Sequence, residues 1–321
     1  MALYVNTNVT SLRGQSSLNK ATNSLATTYN RLSTGLRINS ARDDAAGLQI
    51  SDRLTSQING LKQGNRNAND AIALTQTVEG SMDEMTTMLQ RIRTLAVQSA
   101  NGTNTSSDRA SIQAEVTQLS KEITRIASKT TYGGKTILSN FGDGSKSVVQ
   151  KDGEQAQVNF QVGANQNDVL KLDMRLMGND GTYKTDTKDY SLASLAAAVG
   201  ADGAMVTTQS NKADIASTTY SIWNVSTSDA AQTTLGSIDK VINLIDRKRG
   251  DFGALENRLS STINNQTNVA NNESDARSRI RDTDYAEEAS NLSAQSIVQQ
   301  AASSMLTQAN SLPQLALSLL G

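Results

Sequence analysis

Residues 43–101 read DDAAGLQISDRLTSQINGLKQGNRNANDAIALTQTVEGSMDEMTTMLQRIRTLAVQSAN, and this stretch carries an unbroken heptad pattern. Steps of four and three residues from Ile50 land mostly on apolar or small side chains as far as Ser99. A register kept over about seven heptads predicts one long helix with a coiled-coil seam. Such a helix has no core of its own, so we expect it to pack against partner helices.

The composition excludes several classes of function. The 321 residues contain no cysteine and no histidine, which argues against disulfide frameworks, thiolate metal sites and histidine-based catalysis. The net charge of -1 provides no basic excess for nucleic acid or for an anionic membrane surface. We therefore expect no catalytic residues, no metal, no cofactor, no nucleic-acid partner and no membrane partner. The first residues, Met1–Asn6, also lack the charged and apolar regions of a secretory signal, so we expect none.

Heptad patterns also occupy both ends of the chain. Residues from about 5 to 34 predict a helix, and the last helix contains Pro313, where we expect a bend or opened last turns. The predicted seam of the first helix consists of Leu18, Ala21, Leu25, Thr28 and Leu32. The predicted seam of the last helix consists of Val298, Ala302, Met305, Ala309, Leu312, Ala316 and Leu319. Heptad patterns at both ends, with a different middle, predict that the two ends of the chain lie together.

Polar residues mark where the helices begin and end. Gly35 is suited to end the first helix, and Asn39 or Ser40 is suited to cap the long one. We interpret Arg42-Asp43-Asp44 either as capping and solvation or as an ion pair between subunits. A third helix is expected to start near Ser107-Asp108, and its short connection predicts an antiparallel hairpin with the long helix. Helical periodicity returns near Thr233.

The middle of the chain has a different texture. Apolar residues alternate around Val158–Val162 and Leu170–Leu176, separated by a turn-rich linker, which predicts a β-hairpin. Residues 177–232 are rich in Ser, Thr, Asp, Gly and Ala, with a predicted helix near Leu192–Val199 and a strand near Tyr220–Val225 anchored by Trp223. We therefore predict a mainly α fold: long antiparallel heptad helices form a rod with a terminal coiled-coil pair, plus a β-hairpin region and a small α+β outer insert.

The chain contains, in this order, the segments Arg31–Gly47, Asn65–Asp70, Leu89–Asn101, Ala276–Ala286 and Gln308–Asn310 before Leu319-Leu320. These segments, at both ends of the chain, resemble bacterial flagellin, the subunit of the flagellar filament. The resemblance implies an extracellular structural protein that is exported unfolded through the flagellar type III channel and polymerises into a filament used for swimming. The alternatives are a hook–filament junction protein, and an enzyme with a metalloprotease insert, which would need His-Glu-x-x-His in a chain without histidine.

The resemblance also implies how the chain is divided into domains. Residues 1–42 and 281–321 are expected to pair as the inner core of the filament. Residues 43–176 and 233–280 are expected to form the rod of the outer tube, and residues 177–232 a small variable domain that faces solvent.

The partners implied by the resemblance are further copies of the chain, an export chaperone at the C-terminal helix, the filament cap and hook-junction proteins, and the Toll-like receptor of animal hosts. The implied receptor contacts, shared with the next subunit, are Gln90, Arg91, Leu95, Gln98 and Glu115. Arg91, Leu95 and Gln98 have four-three spacing and lie about 100° around the helix from the seam, so this stripe need not be buried inside the subunit.

Overall fold

The computed structural model describes residues 7–139, 146–152, 155–175, 189–200, 204–209 and 219–320. Its helices are α1 (Val9–Thr34), α2 (Ala45–Ala100), α3 (Ser106–Lys129), α4 (Leu192–Ala198), α5 (Ser228–Arg281) and α6 (Tyr285–Leu320). Its strands are β1 (Thr131–Tyr132), β2 (Lys135–Thr136), β3 (Gln150–Asp152), β4 (Gln155–Gln161), β5 (Val169–Asp173), β6 (Met205–Gln209) and β7 (Thr219–Trp223). The predicted mainly α class is confirmed.

The chain divides into two compact units. The terminal unit comprises residues 1–59 and 268–321, and the central unit comprises residues 60–267. Helices α2 and α5 contribute to both units. Among the described residues, no helix combines the length and apolar character that crossing a membrane requires.

The start of α2 differs from the expected cap. The Asp44 carboxylate accepts a hydrogen bond from the Gly47 N–H at 2.9 Å, so Asp44 rather than Asn39 or Ser40 caps the helix. Asp43 instead accepts from the backbone N–H groups of Ser40 and Asn39 at 2.9 and 3.1 Å. These bonds, led by those from Ser40, lower the pKa of the Asp43 carboxyl group. Asp44 therefore caps the helix, whereas Asp43 stabilises the preceding turn, and the alternative of an ion pair between subunits stays a prediction.

Helices α2, α3 and α5 share the core of the central unit. Every four-three position of α2 from Gly64 to Ser99 is buried, which confirms the predicted seam over this part of the helix. Helix α3 is antiparallel to α2, as predicted, because Arg109 bonds the carbonyl of Ser99 whereas Arg91 bonds Glu115. The cap of α3 is Thr105, which forms a capping box with Asp108 and lies two residues before Ser107, the first residue of the expected cap pair.

The predicted β-hairpin is confirmed as β4 and β5, which pair antiparallel with Val158 opposite Leu172. The turn that follows β4 packs directly on α2 in the central unit. A Cβ atom on Gly64 would overlap the carbonyl oxygen of Val162, so this close approach requires glycine. The same carbonyl accepts a hydrogen bond from Gln266 Nε2 of α5 at 2.7 Å. The hairpin is thus held by two long helices at once.

The described part of the outer insert consists of α4 and the antiparallel pair β6–β7. Trp223 is completely buried, as expected of an anchor. The Gln113 side chain of α3 donates to the carbonyl of Trp223 at 2.8 Å and accepts from the Val225 N–H at 2.6 Å. Helix α5 begins at Ser228 rather than near Thr233, because the Thr227 hydroxyl accepts from the N–H of the first turn. Residues 176–188, 201–203 and 210–218 of the expected hairpin and insert lie outside the described residues.

Candidate interaction surfaces

Helices α1 and α6 pack antiparallel in the terminal unit. Asn8 Nδ2 donates to the carbonyl of Ala309 at 2.7 Å, and Arg31 lies 3.8 Å from the carboxylate of Glu288 at the opposite end of α1. A Cβ atom on Gly14 would lie 3.3 Å from Leu306 Cδ1, so glycine allows the two helices to approach closely there. The predicted face of α1 points toward α6: Ala21 and Thr28 are buried, and Leu18, Leu25 and Leu32 are half-buried.

The face of α6 that meets α1 differs from the predicted seam. Its buried or half-buried four-three positions are Glu288, Leu292, Gln295, Gln299, Ala302, Leu306 and Ala309. Of the predicted residues, Ala302 and Ala309 lie on this face, whereas Val298 and Met305 are 49% and 71% exposed. The reason is geometric: 298 and 305 each precede a position of this face by one residue, a rotation of about 100°.

Leu306 is the large apolar residue of this face that the predicted seam omits between Val298 and Leu319. It stands two heptads after Leu292, and this spacing in the sequence could have identified it. The side chains of Leu312, Ala316 and Leu319 lie outside the described residues. The helix itself continues through Pro313 to Leu320, so the expected opening of its last turns is wrong.

A second row of apolar residues runs along α6 and faces away from α1. This outward row consists of the exposed residues Ala294, Val298, Ala301 and Met305, again at four-three spacing. Ile297, beside it, is 65% exposed. Helix α6 therefore carries two adjacent heptad faces, and only one of them is covered within the chain among the residues described. An exposed apolar heptad face is typical of a surface that meets another helix.

The second candidate surface lies on α2 and α3 in the central unit. Arg91 Nε and Nη2 donate to Glu115 Oε1 at 2.8 and 2.7 Å, and both side chains are about half exposed. On the other side of α2, Arg93 bonds Asp239 of α5 at 2.6 Å. Because α2 is flanked by two helices, its buried face is wider than a two-row seam, and Leu95 is only 3% exposed. Of the stripe Arg91, Leu95 and Gln98, the middle residue is therefore buried within the subunit.

The remaining positions of this surface are accessible. Gln90 and Gln98 are exposed, as is Arg91 between them. Val97, which is not among the predicted contact residues, is 52% exposed and stands one heptad after Gln90. The sequence feature that could have identified Val97 is an apolar residue outside the heptad seam, next to Gln98. The candidate surface on α2 is thus a polar band with one exposed valine.

Neither surface has the composition of a catalytic or metal centre. Among the described residues, no three acidic side chains converge as a metal site would require. The exposed groups are guanidinium, amide, carboxylate and apolar side chains. Groups of these kinds generally contribute to protein–protein interfaces through ion pairs, hydrogen bonds and the burial of apolar area.

Comparison with known proteins gives matches at both ends of the chain. Residues 5–143 match the family model of the bacterial flagellin N-terminal helical region, and residues 235–320 match that of the C-terminal helical region. Flagellin B of Vibrio cholerae is 37% identical over 389 aligned residues, and flagellin A of Vibrio anguillarum is 35% identical over 378. Both alignments cover 100% of this chain and 100% of the relative.

The fold resembles a solved structure of a putative flagellar hook-associated protein from Vibrio parahaemolyticus. That likeness covers 75% of this chain and 100% of the other, with a TM-score of 0.52 and 14% sequence identity. At this level of identity it concerns the fold alone.

Proposed function

This chain belongs to the bacterial flagellin family and is a subunit of the extracellular flagellar filament, and we propose that it polymerises through the two surfaces described above. The observation that carries the proposal is the outward row of α6, an apolar heptad face that no other described part of the chain covers. Repeated contacts between unlike surfaces of identical subunits build an open helical polymer. An apolar row on one subunit is then buried by the next.

We assign different roles to the parts of the chain. Residues 1–42 and 281–321 form the inner core of the filament, where the outward row contacts neighbouring terminal helices. Residues 43–176 and 233–280 form the outer tube, and residues 177–232 face solvent. In support, Val298 and Met305 lie outside the face that packs on α1 and are 49% and 71% exposed, so they are available for contacts outside the chain.

The outward row is tested by placing charge on it. The double variant Val298→Asp, Met305→Asp should remain helical by circular dichroism and form no filaments, because assembly would bury two unpaired carboxylates. The matched control is Ser303→Asp, which adds charge to an exposed position on the opposite side of α6. Filaments of normal length from the double variant under conditions where the control also assembles would refute the assignment.

The α2–α3 surface is proposed to contact the next subunit as well. Its predicted members are Gln90, Arg91, Leu95, Gln98 and Glu115, with buried Leu95 positioning its neighbours rather than making the contact. Arg91→Ala should lower the temperature at which filaments dissociate while leaving the monomer folded, because an exposed ion pair contributes at most about 1 kcal/mol to the fold.

The matched control for Arg91→Ala is Arg125→Ala. Arg125 forms an equally short and equally exposed ion pair, at 2.6 Å, but with Glu122 of its own helix. If both variants lower the dissociation temperature of the filaments to the same degree, the loss of any exposed arginine explains the effect. The proposed contact at the α2–α3 surface is then refuted.

We propose that the same surface is recognised by the Toll-like receptor of animal hosts. Assembly should then hide it, so a crosslinked filament should signal less than an equal mass of monomer. Arg91→Ala should signal less than the unaltered monomer, because arginine is a frequent anchor of protein interfaces. Equal signalling by monomer and filament would argue against a shared surface.

Further partners follow from export and assembly. We propose that an export chaperone binds the C-terminal helix α6, that the chain leaves the cell unfolded, and that the filament cap and hook-junction proteins contact its ends. The outward row offers the chaperone an apolar face before assembly covers it. Competition can test this: a chaperone bound to α6 should inhibit polymerisation of the full chain. We expect no catalytic activity and no binding to nucleic acid or membranes.

A further inference from the structure

Met305 differs from the other described methionines in its exposure. Its side chain lies in the outward row of α6 and is 71% exposed. Met82, Met85 and Met174 are at most 1% exposed, and Met88 and Met205 are half-buried. A methionine thioether reacts with peroxides when the oxidant can reach the sulfur atom. Of the described methionines, Met305 is therefore the one that a dissolved peroxide reaches first.

We propose that Met305 is an oxidation site of the unassembled subunit and that its oxidation blocks polymerisation. The inference rests on the proposed role of the outward row in contacts between subunits. In the reaction, the thioether sulfur attacks one oxygen of a hydroperoxide and the O–O bond breaks. The sulfur gains that oxygen atom and loses two electrons to become a sulfoxide, and the peroxide leaves as water or an alcohol.

The sulfoxide changes the chemistry of the outward row. A flexible apolar side chain becomes a polar one with a strong acceptor oxygen. Val298, one heptad before Met305, and Ala301, one turn before it, offer no side-chain donor to that oxygen. Burying the sulfoxide among apolar neighbours removes its water without replacing the lost hydrogen bonds. We expect the critical concentration for polymerisation to rise about tenfold or more.

Assembly has the opposite effect on the reaction. If the outward row is buried by the next subunit, peroxide reaches Met305 slowly in the filament and quickly in the monomer. The oxidation rate of Met305 thus shows whether the outward row is covered, and the assembly of the oxidised chain shows whether the sulfoxide blocks polymerisation. Subunits are vulnerable before they join the filament and protected afterwards.

The experiment treats the full-length monomer and preformed filaments with the same dilute hydrogen peroxide. Mass spectrometry of peptides then quantifies the sulfoxide at each methionine over time. In the monomer, Met305 should oxidise at least about fivefold faster than Met82 and Met85, and in filaments its rate should fall at least about fivefold. Oxidised monomer should polymerise poorly, and methionine sulfoxide reductases should restore assembly of the same sample.

The matched variant is Met305→Leu, which keeps an apolar side chain of similar volume and has no sulfur to oxidise. After peroxide treatment it should assemble as well as the untreated variant. If treated Met305→Leu loses assembly as the unaltered chain does, another methionine is responsible and the inference is overturned. If Met305→Leu assembles poorly before treatment, the inference is tested on the unaltered chain instead. Enzymatic reduction of the oxidised chain should then restore assembly as the sulfoxide at Met305 disappears.

The outcomes separate this inference from the function on which it rests. Protection of Met305 in filaments together with normal polymerisation of fully oxidised monomer would refute the inference and leave the role of the outward row standing. Equal oxidation of Met305 in monomer and filament would refute the role of the outward row itself.

Discussion

Replacing Gly64 with alanine tests how the β4–β5 turn is held on α2. Gly64 faces this turn so closely that an added Cβ would overlap the carbonyl oxygen of Val162. That oxygen also accepts the buried hydrogen bond from Gln266, so the turn cannot move away without stretching this bond. Gly80 is the matched control, because it lies in the same helix and a Cβ there would meet no atom within 4 Å.

The expected magnitudes follow from these surroundings. Alanine is favoured over glycine inside a helix by about 0.8–1.0 kcal/mol, so Gly80→Ala should stabilise the chain by about that amount. At Gly64 the same gain is opposed by about 1–3 kcal/mol of overpacking and about 1 kcal/mol from the weakened hydrogen bond. Gly64→Ala should therefore destabilise the central unit by about 1–3 kcal/mol, a gap of about 2–4 kcal/mol between the two variants.

The assay uses Trp223, the single tryptophan of the chain, which is completely buried in the central unit. Because a chain with two compact units is not expected to unfold in one step, a local probe is needed. Urea denaturation of monomers, monitored by the fluorescence of Trp223, gives the free energy of unfolding of the central unit. If Gly64→Ala proves as stable as the unaltered chain or more so, the close packing of the turn on α2 is refuted.

Three further predictions concern other contacts. Burial, and to a lesser degree the neighbouring Glu79 carboxylate, raises the pKa of Glu256 above its ordinary value of 4.5. The protonated Glu256 side chain therefore contributes its full stabilisation below pH 4.5, and this stabilisation is lost as the pH rises through the raised pKa of the folded state. Glu256→Gln should consequently stabilise the chain more at pH 7 than at pH 4, and equal effects in urea denaturation at both pH values would contradict this. Gln113→Leu leaves two backbone groups beside Trp223 without partners, so it should lower the free energy of unfolding by about 1–3 kcal/mol and red-shift Trp223 fluorescence; an unchanged spectrum and midpoint would refute that role. Thr105→Ala removes the capping box of α3 and should cost about 1 kcal/mol, which thermal circular dichroism can measure against Thr103→Ala in the preceding loop.

Features that depend on residues close together in the chain could be predicted from the sequence. The four-three register from Gly64 to Ser99 is a local property, because each apolar side chain is brought onto one helix face by the helical period alone. The pairing of β4 with β5 follows in the same way from alternation on both sides of a short turn. Helix limits were predicted less well: Asp44 and Thr105, rather than their neighbours, cap α2 and α3, since the choice among adjacent polar residues depends on the path of the incoming chain.

Other features were decided only by the tertiary structure. The heptad pattern says which side of α2 is apolar, but Leu95 beside it is buried because α3 and α5 flank this helix on both sides. On α6 the pattern allows two adjacent faces, and the approach of α1 selects the one with Leu306, leaving Met305 exposed. A helical period fixes the angle between residues of one helix, whereas the number and direction of the helices around it arise from contacts between residues far apart in the chain.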